Sequence, residues 1–345
     1  KALQLENKDE DLLNRKGFTL ELMERFEEAL ECYNKSLSID DGDILTIYLK
    51  AQILWKLDIL DESISWTNKL LKKDPDYLDA LVLKAQLYSE LEEFEESEKF
   101  VDKALEIDPD NLDALNLKGA ILIDLDKHNE SIQYFDKVLE KEPNYFFSLR
   151  NKGIALFNLD KYEDSLNYFN RALKLENNDD DLLRRKGTVL SYMGKFKEAL
   201  NCFDKSLSIN DKNLLSMYLK ALVLWDLGRL DESITWLEKV TEIEPEYWDA
   251  YFSKGEIHRE LENYEDALES FNKVIEIDPD IVDAWFELGN VYKDLRRTDE
   301  SIEAYEKFIE VVRRNKLDDK FNQVTRINEY LNWVREKGET VTFSP

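Results

Sequence analysis

The stretch Asn111-Leu-Asp-Ala-Leu-Asn-Leu-Lys-Gly-Ala-Ile-Leu-Ile-Asp-Leu-Asp-Lys-His-Asn-Glu-Ser-Ile-Gln-Tyr-Phe-Asp-Lys-Val-Leu-Glu-Lys-Glu-Pro-Asn144 decides how the rest of the chain is read. It is 34 residues long, and its pattern recurs without insertion. Steps of 34 from Gly119 land on Gly17, Ala51, Ala85, Gly153, Gly187, Ala221, Gly255 and Gly289, each of them Gly or Ala. Twelve residues further on, a second small position holds Ala29, Ser63, Ser97, Ser131, Ser165, Ala199, Ser233, Ala267 and Ser301. A strict period of this length means an array of stacked units, not a domain around one closed core.

Each unit carries two apolar patterns. In the quoted copy Leu115, Ile121, Leu122 and Leu125 form one stripe, and Ile132, Phe135, Val138 and Leu139 form a second beyond Asp126-Lys127. These spacings predict two amphipathic helices of about a dozen residues each. Many copies close on an acid and a proline: Asp74-Pro75, Asp108-Pro109, Glu142-Pro143, Glu244-Pro245 and Asp278-Pro279. Proline lacks an amide hydrogen, so the second helix must stop there. Asp76-x-x-Asp79, Asp110-x-x-Asp113 and Asp280-x-x-Asp283 follow. The first acid is placed to cap the next helix and the second to sit in its first turn, near the positive end of the dipole. The small pair, such as Gly119 and Ser131, lets the two helices of a unit approach closely.

With these positions in hand, the chain is similar to a tetratricopeptide repeat array, in nine full copies over residues 10–315. The matching positions are the Gly/Ala and Ala/Ser columns, the apolar residue four before the Gly (Leu13 through Trp285), the aromatic in Tyr33, Phe135, Phe169, Phe203, Phe271 and Tyr305, and the closing Pro. The departures are Lys before the Gly or Ala in eight copies, from Lys16 to Lys254, and bulky Leu70, Val138, Val240, Val274 and Phe308 at a usually small place. Pro is absent after the first, fifth, sixth and ninth copies. The resemblance implies an all-α fold without sheet: an α-solenoid, a right-handed superhelix of stacked helix-turn-helix repeats with a C-terminal capping helix.

A longer period lies above the short one. Of the first 71 residues, 40 are identical to those 170 positions on, including Glu28-Ala-Leu-Glu-Cys32 against Glu198-Ala-Leu-Asn-Cys202. A five-repeat block is duplicated. Residues 1–9 read as the tail of a second helix from a preceding truncated repeat, with Ala2, Leu3 and Leu5 matching Ala172, Leu173 and Leu175. Residues 316–338 read as the capping segment, its helix on the apolar stripe Phe321, Val324, Ile327, Tyr330, Leu331 and Val334 and its end at Gly338. Residues 339–345 read as a loose tail.

Composition narrows the function classes. Net charge is −28, which repels nucleic-acid phosphates and anionic lipid and favours a basic partner. No apolar run reaches membrane-span length. Cys32 and Cys202 are five repeats apart, so two free thiols and a reducing, cytoplasmic compartment are expected. No phosphate-cradling glycine loop, nucleophile elbow, zinc spacing or calcium loop occurs. His128 and His258 occupy different repeat positions, and each is expected to be satisfied or solvent-facing. The chain therefore reads as no enzyme, with no catalytic residues, no metal and no cofactor.

What remains is surface. Arrays of the family curve so that first helices line a concave groove, which here points to Tyr48, Gln52, Trp55, Asn116, Arg150, Phe157, Arg184, Tyr218, Trp225, Phe252 and Arg259. Aromatics and Arg are the residues of binding hot spots. The other reading of each ring is packing between neighbouring repeats. Arg150 and Arg184, alike in repeat position, would form a basic island unless acids such as Asp113 or Asp181 neutralise them. The Lys/Asn set with which some relatives hold a peptide carboxylate is present only in fragments, Asn151 and Asn290. The favoured function is a protein-protein interaction scaffold or adaptor that takes a peptide or helix in its groove. The alternatives are a regulatory or substrate-docking region of a larger enzyme, and a scaffold that self-associates through its truncated N-terminal end.

Overall fold

The computed structural model describes residues 2–317 and 320–341. Among them the chain is all-α, with no strand. It divides into two compact units, Lys1–Asn177 and Asn178–Pro345. The first holds α1 (Ala2–Leu22), α2 (Phe26–Ile39), α3 (Ile44–Lys56), α4 (Leu60–Lys73), α5 (Leu78–Glu90), α6 (Phe94–Ile107), α7 (Leu112–Asp124), α8 (His128–Lys141), α9 (Phe146–Asn158) and α10 (Tyr162–Leu175). The second holds α11 (Asp180–Tyr192), α12 (Phe196–Ile209), α13 (Leu214–Asp226), α14 (Leu230–Ile243), α15 (Trp248–Glu260), α16 (Tyr264–Ile277), α17 (Val282–Asp294), α18 (Thr298–Asn315) and α19 (Phe321–Val341). Odd-numbered helices through α17 are the first helices of repeats, and the following even-numbered ones are their partners.

The quoted copy forms α7 and α8, 13 and 14 residues long. Between them Asp126 takes a left-handed φ of 58°, and the Lys127 amide donates to the Leu122 carbonyl at 2.7 Å. A left-handed residue with a bond spanning five positions is a common way to end a helix. The same turn recurs at Glu24, Asp58, Glu92, Asp160, Gly194, Gly228, Glu262 and Arg296.

Inside a repeat the two helices touch through the small columns. Ser63, Ser97, Ser165, Ser233 and Ser301 donate to the carbonyls of Ala51, Ala85, Gly153, Ala221 and Gly289 at 2.6–2.9 Å. Sixteen residues after each marker comes its packing partner. A Cβ at Gly119, Gly153, Gly187 or Gly255 would lie 2.5–2.7 Å from the ring of Phe135, Phe169, Phe203 or Phe271. Where the marker is Ala51, Ala85 or Ala221, the partner shrinks to Thr67, Val101 or Leu237, all fully buried. Volume is traded across the helix pair, as close packing demands. Each fully buried Phe contributes about 1.5–3 kcal/mol.

Between repeats, Asp74, Asp108 and Asp278 accept from the amides of Asp76, Asp110 and Asp280 at 3.2, 3.0 and 2.8 Å. This turn shifts the cap one residue along from the expected acids, to Tyr77, Asn111 and Ile281. Side-chain capping occurs where that residue is Asp or Asn: Asp43, Asn111, Asp179 and Asn213 accept from an amide three residues on at 2.7–2.9 Å. Asp79, Asp113 and Asp283 do lie in first turns.

Both ends differ from the reading of the sequence. α1 is one helix through residues 9 and 10. In the duplicate block the chain breaks there, at Asn177 to Asp179. Lys8 and Glu10 stand where that block has Asn178 and Asp180, so better helix formers replace two turn formers. The side chains of Ala2, Leu3 and Leu5 lie outside the described residues. α19 passes through Gly338 to Val341. A lone Gly weakens a helix without stopping it, and no Pro follows until Pro345. Residues 342–345 of the expected loose tail lie outside the described residues. α19 sets Ile327 and Leu331 against Phe308, Ile309 and Val312 of α18. Cys32 and Cys202 are free and buried.

Candidate partner-binding face

All eleven candidate residues lie on first helices. On α3, Tyr48 and Trp55 are half-buried beside Ala51, Leu83 and Leu87, and Gln52 is half-buried between them in sequence. The Tyr48 ring lies 5.7 Å from Tyr77, and the Trp55 indole N–H donates to Glu90 at 2.7 Å. The second unit repeats this arrangement. Tyr218 lies 5.5 Å from Tyr247, and the Trp225 indole N–H donates to Glu260 at 2.7 Å. Burial, with Asp79 nearby, raises the Tyr48 phenol above its ordinary pKa, and burial raises Tyr218. Both stay neutral donors. Each Trp ring is thus fixed by packing and by one polar bond to the next repeat, and each Tyr ring by its contact with a second Tyr.

The polar candidates are more tied up. Asn116 accepts from the Ser148 hydroxyl at 2.9 Å, as Asn14 at the same repeat position donates to Thr46 at 2.6 Å. Arg184 pairs with Asp181, and Arg185 donates to the same carboxylate at 2.6 Å. Burial works against the charge of Asp181, but Arg185 and Arg184 outweigh it and hold its pKa below the usual value. Arg150 lies 5.8 Å from the Phe147 ring, and its Nε is buried without a hydrogen-bond partner. Arg150 and Arg184 belong to different units. Phe157 packs 5.8 Å from Tyr162, and Phe252 meets Phe271 edge-on at 5.5 Å. Arg259 donates to Glu287 at 2.7 Å and to Asp294 at 3.3 Å. Beside it Glu256 is pushed up to about 7, by burial first and then by Glu287 and Asp283.

Among the described residues no three His, Cys, Asp or Glu side chains gather into a set that could hold a metal ion, and no helix is long and apolar enough to cross a membrane. The histidines depart from expectation. Nδ1 of both His128 and His258 is buried without a hydrogen-bond partner.

Tetratricopeptide-repeat family models match residues 10–43, 60–121, 112–145 and 282–311, and a TPR-repeat model matches 255–296. The chain is a tetratricopeptide repeat protein. Residues 158–240 also match the family described as anaphase-promoting complex, cyclosome, subunit 3. Comparison with curated proteins finds no match. Among solved structures, a tetratricopeptide repeat protein from Parabacteroides merdae has a TM-score of 0.55 at 18% identity, over 69% of this chain and 94% of that one. The APC/C hetero-tetramer Cut9-Hcn1 has a TM-score of 0.56 at 13% identity, over 88% of this chain and 73% of that one. YrrB, described as a TPR protein with an unusual peptide-binding site, is 26% identical over 53% of this chain and 95% of its own, with a TM-score of 0.45. Tetratricopeptide repeats generally mediate protein–protein interaction.

Two features of this repeat protein escape a reading by composition. First, a first-helix residue bonds the residue 35 positions on in the next repeat: Glu21 with Lys56, Trp55 with Glu90, Trp225 with Glu260 and Arg259 with Asp294. The recurrence of Glu90 at Glu260 with the duplicated Trp was the available signal. Second, the lysine before the marker reaches second helices. Lys118 (5% exposed) donates to Asp102 at 2.6 Å and Glu98 at 2.8 Å, and Lys220 donates to Asp204 at 2.5 Å. The same lysine faces a ring sixteen residues ahead, which a second cation covers from three residues further on. Lys50 and Lys69 lie 4.0 and 4.7 Å from the Trp66 centroid, and Lys84 and Lys103 lie 4.0 and 5.5 Å from Phe100. Lys152 and Arg171 lie 4.4 and 5.2 Å from Tyr168, and Lys220 and Lys239 lie 3.8 and 3.9 Å from Trp236. Two cations within about 6 Å of one ring both draw on its negative quadrupole.

Proposed function

We infer that this chain is a scaffold or adaptor that binds a peptide or helix of a partner protein along its first-helix faces. The observation that carries this reading is the pair Tyr48/Trp55 and its recurrence as Tyr218/Trp225, all four rings half-buried and both Trp held by an acid of the next repeat. Pre-fixed aromatic anchors lose little entropy on binding, which is the usual character of a hot spot. Gln52 lies between Tyr48 and Trp55 on α3, Asn116, Arg150 and Phe157 extend the face in the first unit, and Arg184, Phe252 and Arg259 do so in the second. With a net charge of −28, a partner segment carrying basic residues is favoured. The function requires neither catalysis nor a cofactor. The cytoplasm is the proposed compartment, in keeping with two unpaired thiols.

The test begins with a peptide selected from a displayed random library on the full chain. A photo-reactive benzoylphenylalanine at Gln52 should cross-link it, and the same probe at Lys137 on the second helix α8 should not. Capture from Lys137 alone would move binding to the other face and end this reading.

A further inference from the structure

The repeat formed by α15 and α16 keeps both cations of the lysine–ring pattern but not the ring. Lys254 and Lys273 stand where Lys220 and Lys239 stand one repeat earlier, and Ser270 replaces Trp236. A second change coincides with it. His258 occupies the place that is Leu20, Leu54, Leu122, Leu156, Leu190 and Leu224 in other copies. A pocket of about 820 Å³ opens here, lined by Lys254, His258, Ser270 and Lys273, with Asp266, Glu269 and Glu276 also on its wall. That size falls in the range of about 300–1,000 Å³ usual for ligand sites.

The pocket is equipped for a ring. Lys254 donates to Glu238, sixteen residues back, at 3.2 Å. Lys152 pairs with Asp136 and Lys220 with Asp204 at the same spacing, and both still face a ring. The tie to an acid therefore leaves the ammonium able to meet an aromatic face. His258 supplies a polar contact. It is 9% exposed, its Nδ1 has no hydrogen-bond partner, and the nearest carboxylate, Asp266, is 3.9 Å away, beyond hydrogen-bond reach. Burial keeps the imidazole below its ordinary pKa, hence neutral and with one acceptor nitrogen.

We propose that this pocket receives a tryptophan or tyrosine side chain of a partner protein, with basic residues flanking it in the partner's sequence. The ring lies against Lys254 and Lys273, as Trp236 lies 3.8 and 3.9 Å from Lys220 and Lys239. Its N–H or O–H is directed to His258. Glu276 already accepts from Lys273 at 2.9 Å, as Glu238 does from Lys254, and the neighbouring lysines or arginines of the partner meet Asp266 and Glu269. Lys254 and His258 lie on a different face of α15 from Phe252 and Arg259, so this site stands or falls apart from the first-helix face.

The experiment titrates acetyl-Lys-Trp-Lys-amide into the ¹⁵N-labelled full chain and follows the amide signals of Lys254, His258 and Ser270. These should shift and saturate, and acetyl-Lys-Leu-Lys-amide should bind about tenfold more weakly. Ser270→Trp, which supplies the ring internally, should abolish binding. Lys273→Gln should weaken it about two- to fivefold, and decides the matter if Ser270→Trp fails to fold. Equal binding of the leucine peptide, or full affinity in Lys273→Gln, overturns the proposal. So does saturation by free tryptophan with exclusion of the peptide, which would make this a small-molecule site.

Discussion

Gly153 sits within α9, where glycine costs about 1 kcal/mol relative to alanine, yet a Cβ there would lie 2.5 Å from the Phe169 ring. The ring is 1% exposed and has no room to retreat. Gly153→Ala should therefore lower the unfolding free energy by about 1–3 kcal/mol. Adding Phe169→Leu should recover most of that loss, because it recreates the buried pair Ala221 and Leu237. Urea titration of both single variants and the double checks this, and additive costs would contradict the volume trade. Gly194 answers to a different constraint: its φ is +69° and nothing lies within 4 Å of an added Cβ. Gly194→Ala should cost about 1 kcal/mol from backbone strain alone. Glu256 ties stability to pH. Its pKa is raised from 4.5 to about 7, so the folded state holds the proton more tightly than the unfolded one. Its contribution is present at low pH and is lost as pH rises between those values. Glu256→Gln should raise the melting temperature at pH 8 and change it little near pH 4; the opposite trend would exclude a protonated, buried Glu256. The Gly/Ala column is plain in the sequence. Its reason is less so, because it lies sixteen residues away on the partner helix, where Thr67, Val101 and Leu237 do not resemble Phe169 in a pattern search.

At the scale of elements, apolar periodicity and the five acid–proline closures place the helix pairs of the quoted repeat and its neighbours. Helix ends are less legible. Asp76, Asp110 and Asp280 have the chemistry of caps, but the preceding Asp turns its own side chain back and displaces the cap by one. Lys8 and Glu10 change a turn into helix, and Gly338 is crossed because no second stop signal supports it. α19 covers an apolar surface that no tenth repeat follows among the described residues, and Leu331 is 3% exposed there. Leu331→Ala should destabilise by about 2–5 kcal/mol through the cavity it leaves. A thermal melt unchanged by this substitution would mean that α19 does not seal the second unit.

For the whole molecule, the duplicated block is visible in structure as well as sequence: Tyr48–Tyr77 with Trp55–Glu90 recurs as Tyr218–Tyr247 with Trp225–Glu260. The candidate residues were legible because aromatics stand out against an acidic, helix-rich background. What could not be read was how far each polar handle is already occupied, since Glu90, Asp181, Glu287 and Asp294 come from neighbouring turns or repeats. A chain with a net charge of −28 should bind a basic peptide less tightly as salt rises, and calorimetry at two ionic strengths reads that directly. The central claim is that the aromatic pairs are binding anchors and not only inter-repeat packing. Calorimetric titration of the selected peptide into Trp55→Ala and Trp225→Ala, with folding verified by circular dichroism, tests it most directly. The account predicts that each change weakens binding by at least ~2 kcal/mol, about 30-fold, and that Trp236→Ala on the second helix does not. Lower melting temperatures with affinity untouched in both variants would contradict it, and would leave the recurring pair as a record of duplication.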